Sequence, residues 1–359
     1  MNLRQAFYMG RLALGLRCVC FALTIGLLNC LPTEAQTNGQ IEIGQIDQTS
    51  QTEDVSAKTS RSLVVVTGAA GTDDFGALFE IWSNRLADAG REAGFQVSVL
   101  QNADEVSAKD QLQQILIGNL EADELWVVLI GHGTFDGKLA KFNLVGDDIT
   151  AAELRGWLEK RDATTVVVNC AACSGPFVER LAGRNRVVIS ATKSGYESSF
   201  AYFGEYFTQS LTGSDYDLDK DQQTSLLESV VAASGQTAEY YKSDSRLATE
   251  HAIIEDNGDG KGTPAEWFRG VRVTRAAKDG AAPDGTQANR VFFSRNKNLA
   301  SWPLEALQER NRLENEIESL RAQKSQFTEE QYYQQLQKTM LELAKLYKSV
   351  DDQQPSNDQ

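Results

Sequence analysis

Leu125-Trp126-Val127-Val128-Leu129-Ile130-Gly131-His132-Gly133 is an unbroken apolar run that stops on a histidine between two glycines. Such a run, too short for a typical buried helix and apolar throughout, reads as a strand covered on both faces, the kind found inside a parallel sheet. A second run, Thr164–Val168, stops on Asn169-Cys170-Ala171-Ala172-Cys173-Ser174-Gly175. In an open α/β sheet, ligands and chemistry collect at the carboxyl ends of the strands. An imidazole at one strand end and a thiol at another therefore point to a cysteine–histidine pair. The 359 residues hold only two histidines, and of the five cysteines only Cys170 and Cys173 lie beyond residue 30.

Outward from these two runs the same texture repeats. Leu63–Val66 reads as a further buried strand, and Phe95–Leu100 and Val187–Ser190 read as strands. Helical spacing separates them at 75–92, 109–120, 151–158 and 176–181. Strands alternating with helices indicate a parallel sheet with both faces covered. After Thr192 comes a helical region, 198–250, then a Gly-rich loop, with a last strand expected at Gly270–Thr274 or Arg290–Ser294. Residues 61–298 make one α/β domain.

The two ends differ in kind. Arg4, Arg11 and Arg17 precede the apolar stretch Cys18–Leu31, and Ala35 offers a small residue for cleavage, so 1–35 reads as an export signal peptide. That stretch is shorter than the about 20 residues a permanent span needs. Residues 36–60, rich in Gln, Thr, Ser and acidic groups, read as a disordered linker. Residues 299–350 read as a helical hairpin or coiled coil and 351–359 as a disordered tail. In the hairpin's second helix, Tyr333, Leu336, Met340, Leu343, Tyr347 and Val350 form a coiled-coil-type stripe, and Thr328 with Gln331 makes a capping box. The hairpin either packs back onto the domain or joins two copies of the chain.

The formal charge is −15, from 35 basic and 50 acidic residues; removing 1–35 takes away three arginines and one glutamate and leaves −17. So acidic a surface repels nucleic acid and anionic lipid. Neither is an expected partner, and no stable membrane span is expected once the signal is removed. Localisation is expected to be exported, periplasmic or extracellular.

At the histidine and cysteine strand ends the chain resembles the caspase/legumain-like cysteine peptidases. Val127-Val128-Leu129-Ile130-Gly131-His132-Gly133 matches their strand-His-Gly motif, and Val187-Val188-Ile189-Ser190-Ala191-Thr192 looks like their strand after the nucleophile. The resemblance covers roughly residues 62–275. It implies a caspase-like three-layer α/β sandwich with a mostly parallel sheet, here followed by the C-terminal helical hairpin. It also implies cysteine-type endopeptidase activity on a peptide or protein substrate. Cys173 would attack the scissile carbonyl, His132 would act as base and acid, and the Gly133 amide would help hold the oxyanion.

The chain departs from the family at the nucleophile. Counting back from Ser174-Gly175, that position is Ala172; counting forward from the strand, it is Ala171. Cys170 and Cys173 each miss by one residue. The legumain-type Asn after the first strand is also missing, and Asp73 and Asp74 stand nearby. An inactive pseudo-peptidase that binds or assembles is therefore the alternative. A further alternative is a C-x-x-C thiol–disulfide protein, because a strand, then C-x-x-C, then a helix start is also a redox arrangement. His251 has no comparable context and reads as structural.

Residues 217–228 have the spacing of an EF-hand calcium loop. Asp217, Asp219, Asp221, Ser225 and Glu228 stand at positions one, three, five, nine and twelve, and Gln223 at seven offers its backbone carbonyl. Calcium needs six to eight hard oxygen ligands, which explains the alternate aspartates and the distant glutamate. Gln222 stands where the loop wants glycine. Calcium is the one expected cofactor. A second acidic loop, Glu255–Gly260, predicts only tight turns from its Asn-Gly and Asp-Gly pairs.

Overall fold

The computed structural model describes residues 60–101, 107–118, 121–213, 215–221, 223–294 and 302–351. The expected signal peptide, nearly all of the expected linker and the expected tail beyond residue 351 lie outside them, as does Gln222.

The strands in chain order begin with β1 (Arg61–Thr67), β2 (Gln96–Leu100) and β3 (Glu124–Ile130). A small antiparallel sheet follows, β4 (Gly133–Phe135), β5 (Ala140–Phe142) and β6 (Ile149–Thr150). Next come β7 (Thr164–Asn169), β8 (Arg186–Ser190), β9 (Ile253–Glu255) and β10 (Thr263–Pro264). The main sheet has the order β10-β9-β8-β7-β3-β1-β2. Its five long strands are parallel, and β9 and β10 close one edge in antiparallel sense.

Alternation along each strand sends its residues to opposite faces. Leu63, Val65, Trp126, Val128, Val166 and Val168 pack with α1 (Asp73–Glu92), α5 (Phe203–Thr212) and α6 (Leu226–Ser243). Val64, Val66, Val127, Leu129 and Val167 pack with α2 (Ala108–Gly118), α3 (Ala151–Leu158) and α4 (Gly175–Leu181). The result is the expected three-layer α/β sandwich with a mostly parallel sheet. All seven residues of β3 are buried, which is why its sequence is apolar without alternation.

From β1 the chain steps one way to β2 and then crosses to β3 on the other side of β1. The strand order thus reverses between β1 and β3, and their carboxyl ends open the crevice where such folds hold ligands. His132 follows β3 directly.

The expected last strand is not in the main sheet. Among the described residues, Phe268–Arg269 (β11) and Arg272–Val273 (β12) pair only with each other, and Phe292 makes a single bridge to Ser225. Segment 292–293 is held instead at the sheet's amino end, where the buried Arg61 guanidinium donates to the Phe292 carbonyl (2.6 Å) and the Phe293 carbonyl (3.1 Å). Arg61 also forks onto Glu124 at 3.0 and 2.9 Å, and the Trp126 indole completes that carboxylate at 2.6 Å.

The C-terminal hairpin consists of α7 (Leu304–Ala322) and α8 (Glu329–Asp351). The capping box is present: Thr328 N donates to Gln331 Oε1 and Gln331 N to Thr328 Oγ1. The seam is rotated from the expected stripe. Tyr332 and Thr339, outside the stripe, are buried together with its Val350, whereas Tyr333 and Met340 are half exposed. The hairpin also reaches back to the domain, with Arg310 buried and its guanidinium 4.0 Å from Asp221. Among the described residues no helix is long and apolar enough to cross a membrane.

Candidate active site

The crevice is built from backbone contacts. Gly68 N donates to the Ile130 carbonyl (2.8 Å), and Asn143 N to the His132 carbonyl (2.9 Å). A Cβ at Gly131 would lie 2.9 Å from the Gly68 Cα, so the β1 and β3 ends meet this closely only through glycine. The half-buried His132 ring is held edge-on by Phe75, Phe79 and Phe200, with centroids 4.9, 5.1 and 5.7 Å away. Its Nε2 is 3.1 Å from the Ala70 carbonyl. A carbonyl only accepts, so in the neutral ring Nε2 carries the proton and Nδ1 keeps the lone pair of a base.

The second strand end runs past this histidine. Cys170 N still donates to the Leu129 carbonyl (2.9 Å), so the residue continues the sheet, and its side chain enters the apolar core on the α1 and α5 face. Asn169 Oδ1 then accepts the Ala171 amide at 3.1 Å and starts the turn. Ala172 arrives against Gly133: a Cβ built there would be 2.2 Å from the Ala172 carbonyl oxygen. Cys173 follows in the left-handed region, at φ +57°. Its amide is donated to the Glu197 carbonyl (2.9 Å). A hydroxyl network of Ser174, Ser190 and Thr192 anchors the start of α4, with Ser190 Oγ to Ser174 Oγ at 2.8 Å.

Cys170 and Cys173 are both buried and both free thiols, not a cystine. Burial pushes each thiol up, and for Cys170 the nearby Glu250 charge adds to it. A nucleophilic thiol needs the opposite shift. Among the described residues neither thiol is hydrogen-bonded to His132.

Sequence reasoning missed Glu197. Its backbone carbonyl receives the Cys173 amide, and its carboxylate accepts Lys193 N (2.9 Å), His251 N (3.2 Å) and His251 Nδ1 (2.6 Å). His251, read as structural, thus braces the loop that holds Cys173. Fifty-four positions separate the two partners, and no local spacing signals the pair.

In the loop between α5 and α6, carboxylate oxygens of Asp217, Asp219 and Asp221 lie within 4.8 Å of one another. Asp221 N donates to Asp217 Oδ1 (3.1 Å) and to Asp219 Oδ1 (3.2 Å), and Gln223 N to Asp221 Oδ1 (2.9 Å). Burial and then the Asp219 charge push Asp221 up to about 7. Such crowding of hard oxygens suits a divalent cation. Glu228 is placed differently. Oε1 accepts Leu218 N (2.6 Å) and Asp219 N (3.1 Å), while Oε2 accepts Ser225 N (2.7 Å) and Ser225 Oγ (2.9 Å). Ser225 and Glu228 form the capping box of α6, so Glu228 shapes the loop through its amides.

What the fold and site define is a three-layer α/β protein with a His-Gly turn at its sheet's switch point. Solved structures similar to it include the Drosophila initiator caspase Dronc (14% identity, 63% of this chain and 95% of that one, TM-score 0.38). Others are a protein from Geobacter sulfurreducens (12%, 55% and 94%, 0.39) and caspase-1 from Spodoptera frugiperda (12%, 55% and 88%, 0.36). No family model and no curated protein matches the chain.

Proposed function

We propose that this chain is a catalytically inactive relative of the caspase/legumain-like peptidases whose scaffold serves as a polypeptide-binding module. The observation that carries this reading is Ala172 against Gly133. The residue beside the His-Gly turn is where a nucleophile must stand to share the histidine and the glycine amide, and it has no thiol. The neighbouring Cys173 spends its amide on Glu197, and burial disfavours its thiolate. A binding role is supported by Tyr196, which lies on the loop that carries Glu197, is 78% exposed and stands edge-on to Phe135 of β4 at 5.2 Å.

A cysteine-type endopeptidase using Cys173 and His132 is the second reading. It is favoured by the Ala70 carbonyl, which leaves His132 Nδ1 as a base. One experiment separates the two. Reduced, calcium-loaded full-length protein is treated with a thiol-directed electrophilic peptide probe and with a peptide library. The inactive reading expects no turnover and no labelling, and expects Ala172→Cys to gain labelling that His132→Ala abolishes. Cleavage by the unaltered chain that Cys173→Ala removes would end it.

The same reading takes the chain as exported through residues 1–35 and as binding calcium at 217–228, which would fix the loop that Arg310 of α7 packs against. Calcium is expected to raise the melting temperature, and Asp217→Ala to remove most of that rise. An unchanged melting curve in millimolar calcium counts against this site.

A further inference from the structure

Residues 255–266 carry a second alternation of oxygen side chains. Glu255, Asn257, Asp259, Thr263 and Glu266 take places one, three, five, nine and twelve of a twelve-residue cation loop, with Gly260 at six. In the fold this stretch begins on the last residue of β9 and connects it to β10, at the edge of the main sheet. Gly258 and Gly260 both adopt the left-handed region, at φ +85° and +77°. Asn257 Oδ1 receives Asp259 N (2.9 Å), and Asp259 Oδ1 receives Lys261 N (2.8 Å).

The deciding feature is Glu255, which has no exposed surface. Its Oε1 accepts Gly258 N (2.6 Å) and Gly260 N (3.3 Å), so the carboxylate is turned into the loop. Its Oε2, necessarily beside Oε1, is buried with no hydrogen-bond partner among the described residues. The neighbouring buried acids are fully served by protein donors. Asp256 takes the amides of Gly285, Gln287 and Ala288. Asp284 takes those of Asp256 and Asn257 and the Thr263 hydroxyl. Arg186, the cation on neighbouring β8, gives NH1 and NH2 to the Leu181 and Leu158 carbonyls and forms no ion pair with Glu255 among the described residues. A buried anionic oxygen left bare is costly, and in a loop of further oxygens a hard cation removes that cost.

We propose that the β9–β10 connection is a calcium-binding site, with Glu255 Oε2, Asn257 Oδ1, an Asp259 carboxylate oxygen and the Lys261 carbonyl as its protein ligands. The ion would tie down the shortest strand of the sheet at its open edge. The site is independent both of the peptidase question and of the 217–228 loop.

The test removes the other loop first. Full-length protein carrying Asp217→Asn and Asp219→Asn is dialysed to equilibrium against calcium. One saturable site per chain is expected to remain. It should be lost on adding Asp259→Asn, an exposed position that leaves the fold intact, and on adding Glu255→Gln, with calcium-free circular dichroism checking that each variant is folded. If Glu255→Gln does not fold, Asp259→Asn decides alone. No saturable binding in the parent double variant overturns the proposal, as does a site that Asp259→Asn leaves unchanged.

Discussion

Replacing Gly133 by alanine tests the contact on which the inactive reading rests. The added Cβ would lie 2.2 Å from the Ala172 carbonyl oxygen and 3.2 Å from that of Lys141, and real Cβ atoms essentially never come under 3.0 Å. Both obstacles are backbone atoms, one at the turn after β7 and one in β5, so no side chain can swing away. Gly133 is not among the residues with positive φ, so the cost is steric alone. Overpacking of this kind costs about 1–3 kcal/mol, and rigid backbone places it near the top of that range. The lower entropy of an unfolded alanine returns about 0.4–1 kcal/mol. A net loss of about 2 kcal/mol lowers Tm by about 4–8 °C in a domain of this size. Thermal and urea unfolding of the full chain read it directly. Gly156→Ala in α3, where a Cβ meets nothing within 4 Å, is the control and should gain about 0.5–1 kcal/mol. If Gly133→Ala melts with the parent protein, Ala172 does not stand beside the His-Gly turn, and the inactive assignment loses its foundation.

Three other outcomes follow from the same structure. Cys170→Ser puts a hydroxyl into the apolar core and should lower stability by about 1–3 kcal/mol in urea titration. Arg61→Ala should cost about 3–5 kcal/mol, because it takes the counter-charge from the buried Glu124 carboxylate; a double variant that also carries Glu124→Ala should cost less than the two single changes summed. Glu250 accepts the Tyr202 amide (2.8 Å), the Phe203 amide (3.0 Å) and the Tyr241 hydroxyl (2.9 Å), yet burial holds its pKa above the ordinary 4.5. A folded pKa above the unfolded one means that the native state holds the extra proton. Its stabilisation is full below the unfolded value and is lost as pH rises through the folded one. Glu250→Gln should flatten that decline, and an unchanged slope of urea midpoint against pH would contradict the burial argument.

The inner parallel strands β1, β3, β7 and β8 were legible because each holds a local run of apolar residues whose burial on both faces leaves no alternation to misread, whereas β2 at the edge alternates and is only partly buried. The helices between them, the His132 turn and the α8 capping box rest on patterns a few residues long. The short strands β9 and β10 have three and two residues, too few to show a period; β9 forms on the edge that β8 offers, and β10 on β9. The spacing along α8 predicts Tyr333 and Met340 on the inner face. The partner helix instead buries Tyr332 and Thr339, and the position of a partner is not written in one helix's sequence.

The amino-acid order alone determined that this chain folds as a layered parallel sheet carrying an imidazole at a strand end, since hydrophobic patterning acts between near neighbours. Only the tertiary structure decided which residue stands against Gly133 of the His-Gly turn. The choice among Ala171, Ala172 and Cys173 is a one-residue matter of where the turn is caught. The catching groups, Glu197 on Cys173 N and Gly133 on the Ala172 carbonyl, come from distant parts of the chain. The bare oxygen of Glu255 was hidden for the same reason, because a carboxylate's partners are settled by packing rather than by spacing.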